Sequence, residues 1–97
     1  MNKLEILQFI REHIEQNPGW KYDILTDAYA HSYLVFEVSQ LLEPKGADYL
    51  DIEDMVSVYI HRWRNHFKEL SASDRSKIAD VFERIGLDFD RAELLAM

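Results

Sequence analysis

The first sixteen residues follow the pattern of an amphipathic α-helix. Apolar residues recur every three or four positions over 3–16, with charged and amide side chains between them. The pattern predicts a helix that ends at Asn17-Pro18-Gly19, because Pro cannot continue a helix and Gly suits the left-handed turn after one. Its apolar sector is roughly 220° wide, more than one neighbouring helix can cover, so we expect this helix to be central or to offer part of its face to a partner. The apolar residues are Leu4, Ile6, Leu7, Phe9, Ile10 and Ile14.

Residues 22–42 contain neither Gly nor Pro, and their apolar side chains point in every direction around a projected helix. A helix that is apolar all round is a buried one, so we predict a buried helix with Asp23 as its N-cap. A strand over 33–38 is the alternative, since that stretch is rich in aromatic and β-branched residues. The helix is favoured because Leu34, Val35 and Phe36 are consecutive, which breaks the alternation of a half-buried strand.

Three more helices are predicted downstream of a break at 43–46. The segment 52–70 is the cleanest amphipathic stretch in the chain, and it is followed by a helix between 71 and 86 and a short one after 90. The chain has no linker, repeat or low-complexity tract. We therefore predict one all-α domain over 1–97, a single-domain bundle of four helices plus a short C-terminal helix. The predicted capping and terminating residues are Asp48 or Asp51, Ser71, Gly86 and Asp90.

The composition fits a protein with a single hydrophobic core, at 97 residues, 47% hydrophobic and 12% aromatic. There is no cysteine, which excludes disulfides, thiolate metal sites and thiol nucleophiles. No apolar run exceeds four residues, the length of 33–36, which is far shorter than the ~20 residues of a membrane span. The N-terminus has an acid at position 5 and no cleavage-site pattern. We therefore expect a cytoplasmic protein without membrane association.

No motif for catalysis, metal binding or nucleotide binding is present. The serines lack the Gly-x-Ser-x-Gly elbow of serine hydrolases, and three glycines are too few for a phosphate-binding loop. No carboxylate stands three residues before any of the four histidines, as a di-iron bundle requires, and Asp27 with His31 is a lone i, i+4 pair. We therefore predict a protein that is not an enzyme and has no catalytic residue, no metal site and no cofactor.

Two of the histidines, His13 and His66, project close to apolar sectors of their helices. Each is either a protonation-dependent switch near neutral pH or a boundary residue whose ring packs while one nitrogen reaches water or a carbonyl. The pattern favours the boundary position and leaves the switch as an alternative.

The charge of the chain is unevenly distributed. The chain has 18 acidic and 11 basic residues, and its net charge of −7 arises entirely within residues 1–60, because residues 61–97 hold seven of each sign. Such a field steers charged partners and repels polyanions. His61, Arg64 and Lys68 form a basic stripe that favours a DNA-binding regulator as a further hypothesis. A chain of this net charge is repelled by phosphate, however, so we expect no direct nucleic-acid binding.

Four acidic residues crowd the segment 48–54, more than one helix cap can use. The surplus acids have two explanations. They either keep the protein soluble, with no further role, or form a docking surface for a basic partner. Trp20 and Tyr49 are candidate apolar anchors, because Trp and Tyr most often anchor interfaces; Trp20 has the alternative of folding back on the core. The candidate partner-binding residues are Glu12, Glu15, Trp20, Asp48, Tyr49, Asp51, Glu53 and Asp54.

In size, acidity and helicity the chain is similar to the helical immunity proteins of nuclease toxins and to phage-encoded inhibitors of host defence nucleases, although no shared motif assigns a role to any residue. We predict a small protein that binds a partner protein with a basic surface, such as a nucleic-acid-handling enzyme, and inhibits or modulates it by partial polyanion mimicry. The alternative is a homo-oligomeric structural or assembly protein, in the simplest case a homodimer, that buries its excess apolar helix faces against a second copy.

Overall fold

A computed structural model describes residues 1–97, which form six α-helices and one short 3₁₀ turn, with no strand. The predicted all-α class is confirmed, but the number of helices exceeds the predicted four plus one. The molecule measures 42 × 25 × 21 Å along its principal axes. The elements are α1 (Lys3–Gln16), α2 (Gly19–Thr26), α3 (Ala30–Leu42), the 3₁₀ turn (Glu43–Lys45), α4 (Tyr49–Glu69), α5 (Ala72–Arg84) and α6 (Arg91–Ala96).

The extra helix arises because the segment predicted as one helix over 22–42 is broken at Asp27. Asp27 has an extended backbone (φ −107°, ψ 119°), and its Oδ1 accepts a hydrogen bond from the backbone N–H of Tyr29 at 2.8 Å. Asp favours such local side-chain bonds, which compete with helix continuation. The prediction of Asp23 as an N-cap is wrong, since Asp23 lies inside α2. The stretch 33–38 is helical, within α3.

The downstream boundaries follow the predicted local signals. Asp48 caps α4 by accepting hydrogen bonds from the backbone N–H groups of Leu50 and Asp51. Ser71 caps α5 and Asp90 caps α6 in the same way. Gly86 adopts φ +82° just after α5, a left-handed conformation that suits glycine and ends the helix.

The main core is enclosed by the first four helices. α1 and α4 run in the same direction, since Lys3 and Asp54, each near the start of its helix, form an ion pair. α3 runs antiparallel to α4, with His31 against Ser57 near one end of their contact and Ser39 beside Tyr49 at the other. The thirteen buried residues of this core are Ile6, Ile10, Ile14, Ile24, Ala30, Leu34, Val35, Val38, Leu42, Ala47, Ile52, Val56 and Ile60.

A second, smaller core holds α5 and α6 on the C-terminal end of α4. Its buried residues are Phe67, Ala79, Phe82 and Leu94. Trp63 packs against both cores and donates its indole N–H to the carbonyl of Lys21 at 2.9 Å. The side chain of Trp63 therefore joins α2, α4 and the two cores.

None of the six helices combines the length and the hydrophobicity that crossing a membrane requires.

Candidate protein-binding surface

The outer face of α3 carries three exposed aromatic side chains. Tyr29, Tyr33 and Phe36 are 69%, 59% and 65% exposed. Their spacing of i, i+4 and i+7 places them on one side of the helix, and the rings of Tyr29 and Tyr33 lie 6.5 Å apart. We call these three residues the aromatic stripe. The expectation that this segment is buried all round is therefore wrong: the opposite side of α3 packs in the core, and the aromatic stripe faces solvent.

A groove of about 390 Å³ lies between α3 and α4 beside the aromatic stripe. Glu43 and Glu53 contribute its charged groups, and no Lys or Arg lines it. Phe36 and the half-exposed ring of Tyr49 supply apolar surface. We call this feature the acidic groove. Its lining residues are His31, Ser32, Val35, Phe36, Ser39, Gln40, Glu43, Tyr49 and Glu53.

Ser39 adds an unpaired polar group to the acidic groove. The residue is only 7% exposed, and it is the only polar residue among the buried ones. Its Oγ has no hydrogen-bond partner in the structure. A buried hydroxyl without a partner costs free energy, so a ligand that bonds to Ser39 would recover that cost.

The acidic residues predicted at 48–54 have different roles in the structure. Asp48 is occupied in capping α4, and Asp54 pairs with Lys3 at 3.1 Å. Asp51 lies in the first turn of α4, half-buried. Glu53 lines the acidic groove and makes no ion pair or hydrogen bond there, and Tyr49 lies beside it. The structure therefore brings Tyr49 and Glu53 together at one surface.

The other three predicted partner-binding residues lie outside the acidic groove. Trp20 packs against the main core and donates its indole N–H to Glu37 Oε2 at 2.9 Å. Glu12 accepts a hydrogen bond from Gln8 on the exposed side of α1. Glu15 lies near Tyr59. The pKa of Tyr59 is raised to about 12, mainly by burial of its phenol and secondly by the negative charge of Glu15.

Sequence reasoning missed four residues of this surface: Tyr29, Tyr33, Phe36 and Glu43. The spacing of the three aromatics was visible in the sequence, but it appeared as one part of a helix that is apolar on every side. Only the packing of α3 against α1, α2 and α4 shows which of its sides is left uncovered.

The predicted charge asymmetry persists in three dimensions. Among the acidic residues of the first sixty positions, only Asp54 pairs with a Lys or Arg, namely Lys3, and Glu37 contacts the imidazole of His13. In the C-terminal part, Arg91 bonds to both Asp80 and Glu83, which raises the pKa of its guanidinium, and Lys77 pairs with Asp74. Most carboxylates of the N-terminal part therefore have no cationic partner within the fold.

The two boundary histidines pack against aromatic neighbours. The ring of His13 stacks on Phe9 with centroids 5.6 Å apart, and its Nε2 lies 2.6 Å from Glu37 Oε2. The ring of His66 lies 6.0 Å from that of Trp63.

The basic stripe of α4 is partly used within the fold. Arg64 Nε donates to the carbonyl of Ile24 at 2.9 Å, near the C-terminus of α2, where free carbonyls favour a cation. Arg64, one of the three residues of the basic stripe, is therefore hydrogen-bonded to α2.

No three His, Asp or Glu side chains converge in a way that could hold a metal ion. Comparison of the chain with protein-family models, with curated proteins and with solved structures finds no match.

Proposed function

We propose that this protein is a non-enzymatic binding module that docks a basic partner protein through the aromatic stripe and the acidic groove, and thereby inhibits or modulates that partner. The observation that supports the proposal most strongly is the juxtaposition of three exposed aromatics with a groove that holds two unpaired carboxylates and no Lys or Arg.

The aromatic stripe has the composition of an interface centre. Aromatic side chains are enriched in protein interfaces, where a few of them provide most of the binding energy. Tyr33 and Phe36 lie on α3, and Tyr29 is its N-cap residue; the other side of α3 packs in the main core. Burial of these rings would therefore cost little conformational entropy beyond their own side-chain rotation.

The acidic groove determines the charge of the partner. Glu43 and Glu53 lie within an N-terminal part whose carboxylates are almost all without a cationic partner. Lys or Arg side chains on the partner would complement them, accelerate association through long-range attraction and make association sensitive to salt. A nucleic-acid-handling protein has a surface of this kind, which is why partial polyanion mimicry remains the proposed mechanism.

We assign no catalysis to the one hydroxyl–imidazole pair of the structure. His31 Nε2 lies 2.7 Å from Ser57 Oγ, but no carboxylate bonds to the other ring nitrogen, and the nearest acid in sequence, Asp27, uses its Oδ1 on the backbone of Tyr29. A nucleophilic serine needs a base that is itself oriented by a third group.

Affinity capture from the source organism, followed by binding measurements with the purified captured protein, tests the proposal. The variant E43K/E53K should slow association and flatten its salt dependence, and Y33A/F36A should accelerate dissociation. The double variant E69K/D88K is the matched control, because it changes the net charge equally at two exposed acids outside the acidic groove. Equal effects of E43K/E53K and E69K/D88K would contradict the proposal.

The alternative occupant of the aromatic stripe is a second copy of this chain, and exposure of Tyr29, Tyr33 and Phe36 is the observation that favours it. Sedimentation equilibrium distinguishes the two. A concentration-independent monomer removes the homo-oligomer, whereas a tight dimer that Y33A/F36A dissociates assigns the surface to self-association and removes the basic partner.

A further inference from the structure

A second pocket, of about 600 Å³, continues the α3–α4 contact beyond the acidic groove. The two share His31 as a common wall. No Asp or Glu lines this second pocket, although the chain as a whole carries a net charge of −7. We call it the histidine pocket; its lining residues are His31, Ser57, Val58, Ile60, His61 and Arg64.

The guanidinium of Arg64 is held in place at this pocket. Its Nε donates to the carbonyl of Ile24 at 2.9 Å, which restrains the side chain. The terminal nitrogens make no hydrogen bond or ion pair in the structure. Arg is always charged, and its planar fork matches the oxygens of carboxylates and phosphates. A fixed Arg with unused donors is therefore suited to an anion.

The polar neighbours of Arg64 add further donors. Ser57 Oγ and His31 Nε2 lie 2.7 Å apart, so the pair presents at least one N–H or O–H group. His61 Nε2 lies 3.1 Å from Asn65 Nδ2. Because an amide nitrogen only donates, Nε2 accepts, and a neutral His61 carries its proton on Nδ1 as another donor.

We infer that the histidine pocket binds an oxyanion, a carboxylate or a phosphate group, with Arg64 as the charged ligand, and with the hydrogen-bonded pair His31–Ser57 and His61 each supplying a further donor. Two opposing charges precede pocket residues by four positions: Glu53, before Ser57, lines the acidic groove, and Asp27, before His31, accepts from the backbone of Tyr29 through its Oδ1. At physiological salt such charges are screened over about 8 Å. They weaken the site without removing its donors.

Titration with inorganic phosphate and, separately, with acetate, followed by ¹H–¹⁵N NMR at constant ionic strength in chloride, tests the inference. We expect saturable shifts confined to His31, Ser57, His61 and Arg64 with at least one of the two anions, and the anion that binds more tightly identifies the group as phosphate or carboxylate. The variant R64Q should weaken that binding about tenfold or more, since it removes a charge-assisted hydrogen bond.

Arg62 provides the matched control, because it has the same charge on the same helix but lines a different pocket, with Arg11 and Tyr59. R62Q should leave anion binding unchanged. Since Arg64 also fastens α2, S57A is the second variant; it should weaken binding without disturbing the bond from Arg64 to Ile24. Absence of saturable shifts, or equal losses in R62Q and R64Q, would overturn the inference.

The histidine pocket and the proposed partner-binding function are tested separately. Small anions probe the pocket in the absence of any partner, and Arg64 belongs neither to the aromatic stripe nor to the lining of the acidic groove. Failure of the anion titration therefore leaves the proposed function in place, and failure of partner capture leaves the pocket in place.

Discussion

The indole N–H of Trp20 donates a hydrogen bond to Oε2 of Glu37 across 2.9 Å. The same oxygen lies 2.6 Å from His13 Nε2, so one carboxylate on α3 links α1 and α2. This arrangement gives Trp20 a structural role at the edge of the main core, next to but separate from the aromatic stripe on the outer face of α3.

Removal of that carboxylate should destabilise the fold. We expect E37A to lower the free energy of unfolding by about 1–2 kcal/mol, because two half-buried donors lose their acceptor. Urea denaturation followed by Trp fluorescence measures the loss. E12A, which removes an exposed carboxylate bonded only to Gln8, should stay within about 0.5 kcal/mol of the parent. Equal values for the two variants would contradict a linking role for Glu37.

The aromatic stripe should be dispensable for stability, since its rings face solvent. We expect Y33S to change the free energy of unfolding by less than about 1 kcal/mol. L34A, one position further along and fully buried in the main core, should cost about 2–5 kcal/mol. Thermal and chemical denaturation compare them. A large loss in Y33S would mean that Tyr33 is a core residue and that the aromatic stripe is not available to a partner.

Asp23 should give stability an unusual dependence on pH. Burial, and secondarily the charge of Asp27, raise the pKa of Asp23 above its ordinary value. The folded state therefore binds a proton at the Asp23 carboxylate more tightly than the unfolded state does. The contribution of Asp23 to the free energy of unfolding becomes more favourable as the pH falls through its folded pKa toward its ordinary value of 3.8. D23N should raise the melting temperature at neutral pH and give a smaller gain near pH 3.

A direct titration separates the two causes. In D27N, which keeps an oxygen to accept from Tyr29, the pKa of Asp23 measured by carboxyl ¹³C NMR should fall part of the way back. It should remain above the ordinary value because burial is the larger cause. An unchanged pKa in D27N would show that Asp27 does not contribute.

Arg75 joins the ends of three helices. Its guanidinium donates to the carbonyls of Lys68 at 3.0 Å and Leu95 at 3.2 Å and lies 5.0 Å from the ring of Phe67. R75A should lower the free energy of unfolding by about 2–3 kcal/mol and accelerate hydrogen exchange in α6 before α1–α4. The exposed neighbour Lys77, as K77A, should have almost no effect. Unaltered exchange of the α6 amides in R75A would contradict the role given to Arg75.

Much of the fold could be predicted because its boundaries are encoded locally. The caps at Asp48, Ser71 and Asp90 depend on bonds within three residues of the cap, and the amphipathic period of α4 is clear in the sequence. The break at Asp27 was not predicted, because residues 22–42 contain neither Gly nor Pro and so lack a strong signal that ends a helix. An Asp in the sequence does not by itself predict a local bond such as the one that Asp27 accepts from the backbone of Tyr29.

The binding surface was less predictable, because it depends on which helix sides are covered. Of the residues singled out around the acidic cluster, Tyr49 and Glu53 line the acidic groove, whereas Asp48 and Asp54 are engaged in a cap and an ion pair. Trp20 meets Glu37 across 17 positions of sequence, a contact that no local pattern specifies. The aromatic stripe could be recognised only once the core had been assigned to the opposite side of α3.

Docking of a basic partner on the aromatic stripe is tested most directly by photo-crosslinking in cells of the source organism, from a benzoylphenylalanine placed at Phe36 and, for comparison, at the exposed Ser73 of α5. We predict one prominent crosslink at position 36, to a different protein with a basic surface, that is absent from position 73 and is lost when E43K/E53K is added. Crosslinks only between copies of this chain, or a product that forms equally from both positions, would contradict docking of a basic partner at the aromatic stripe.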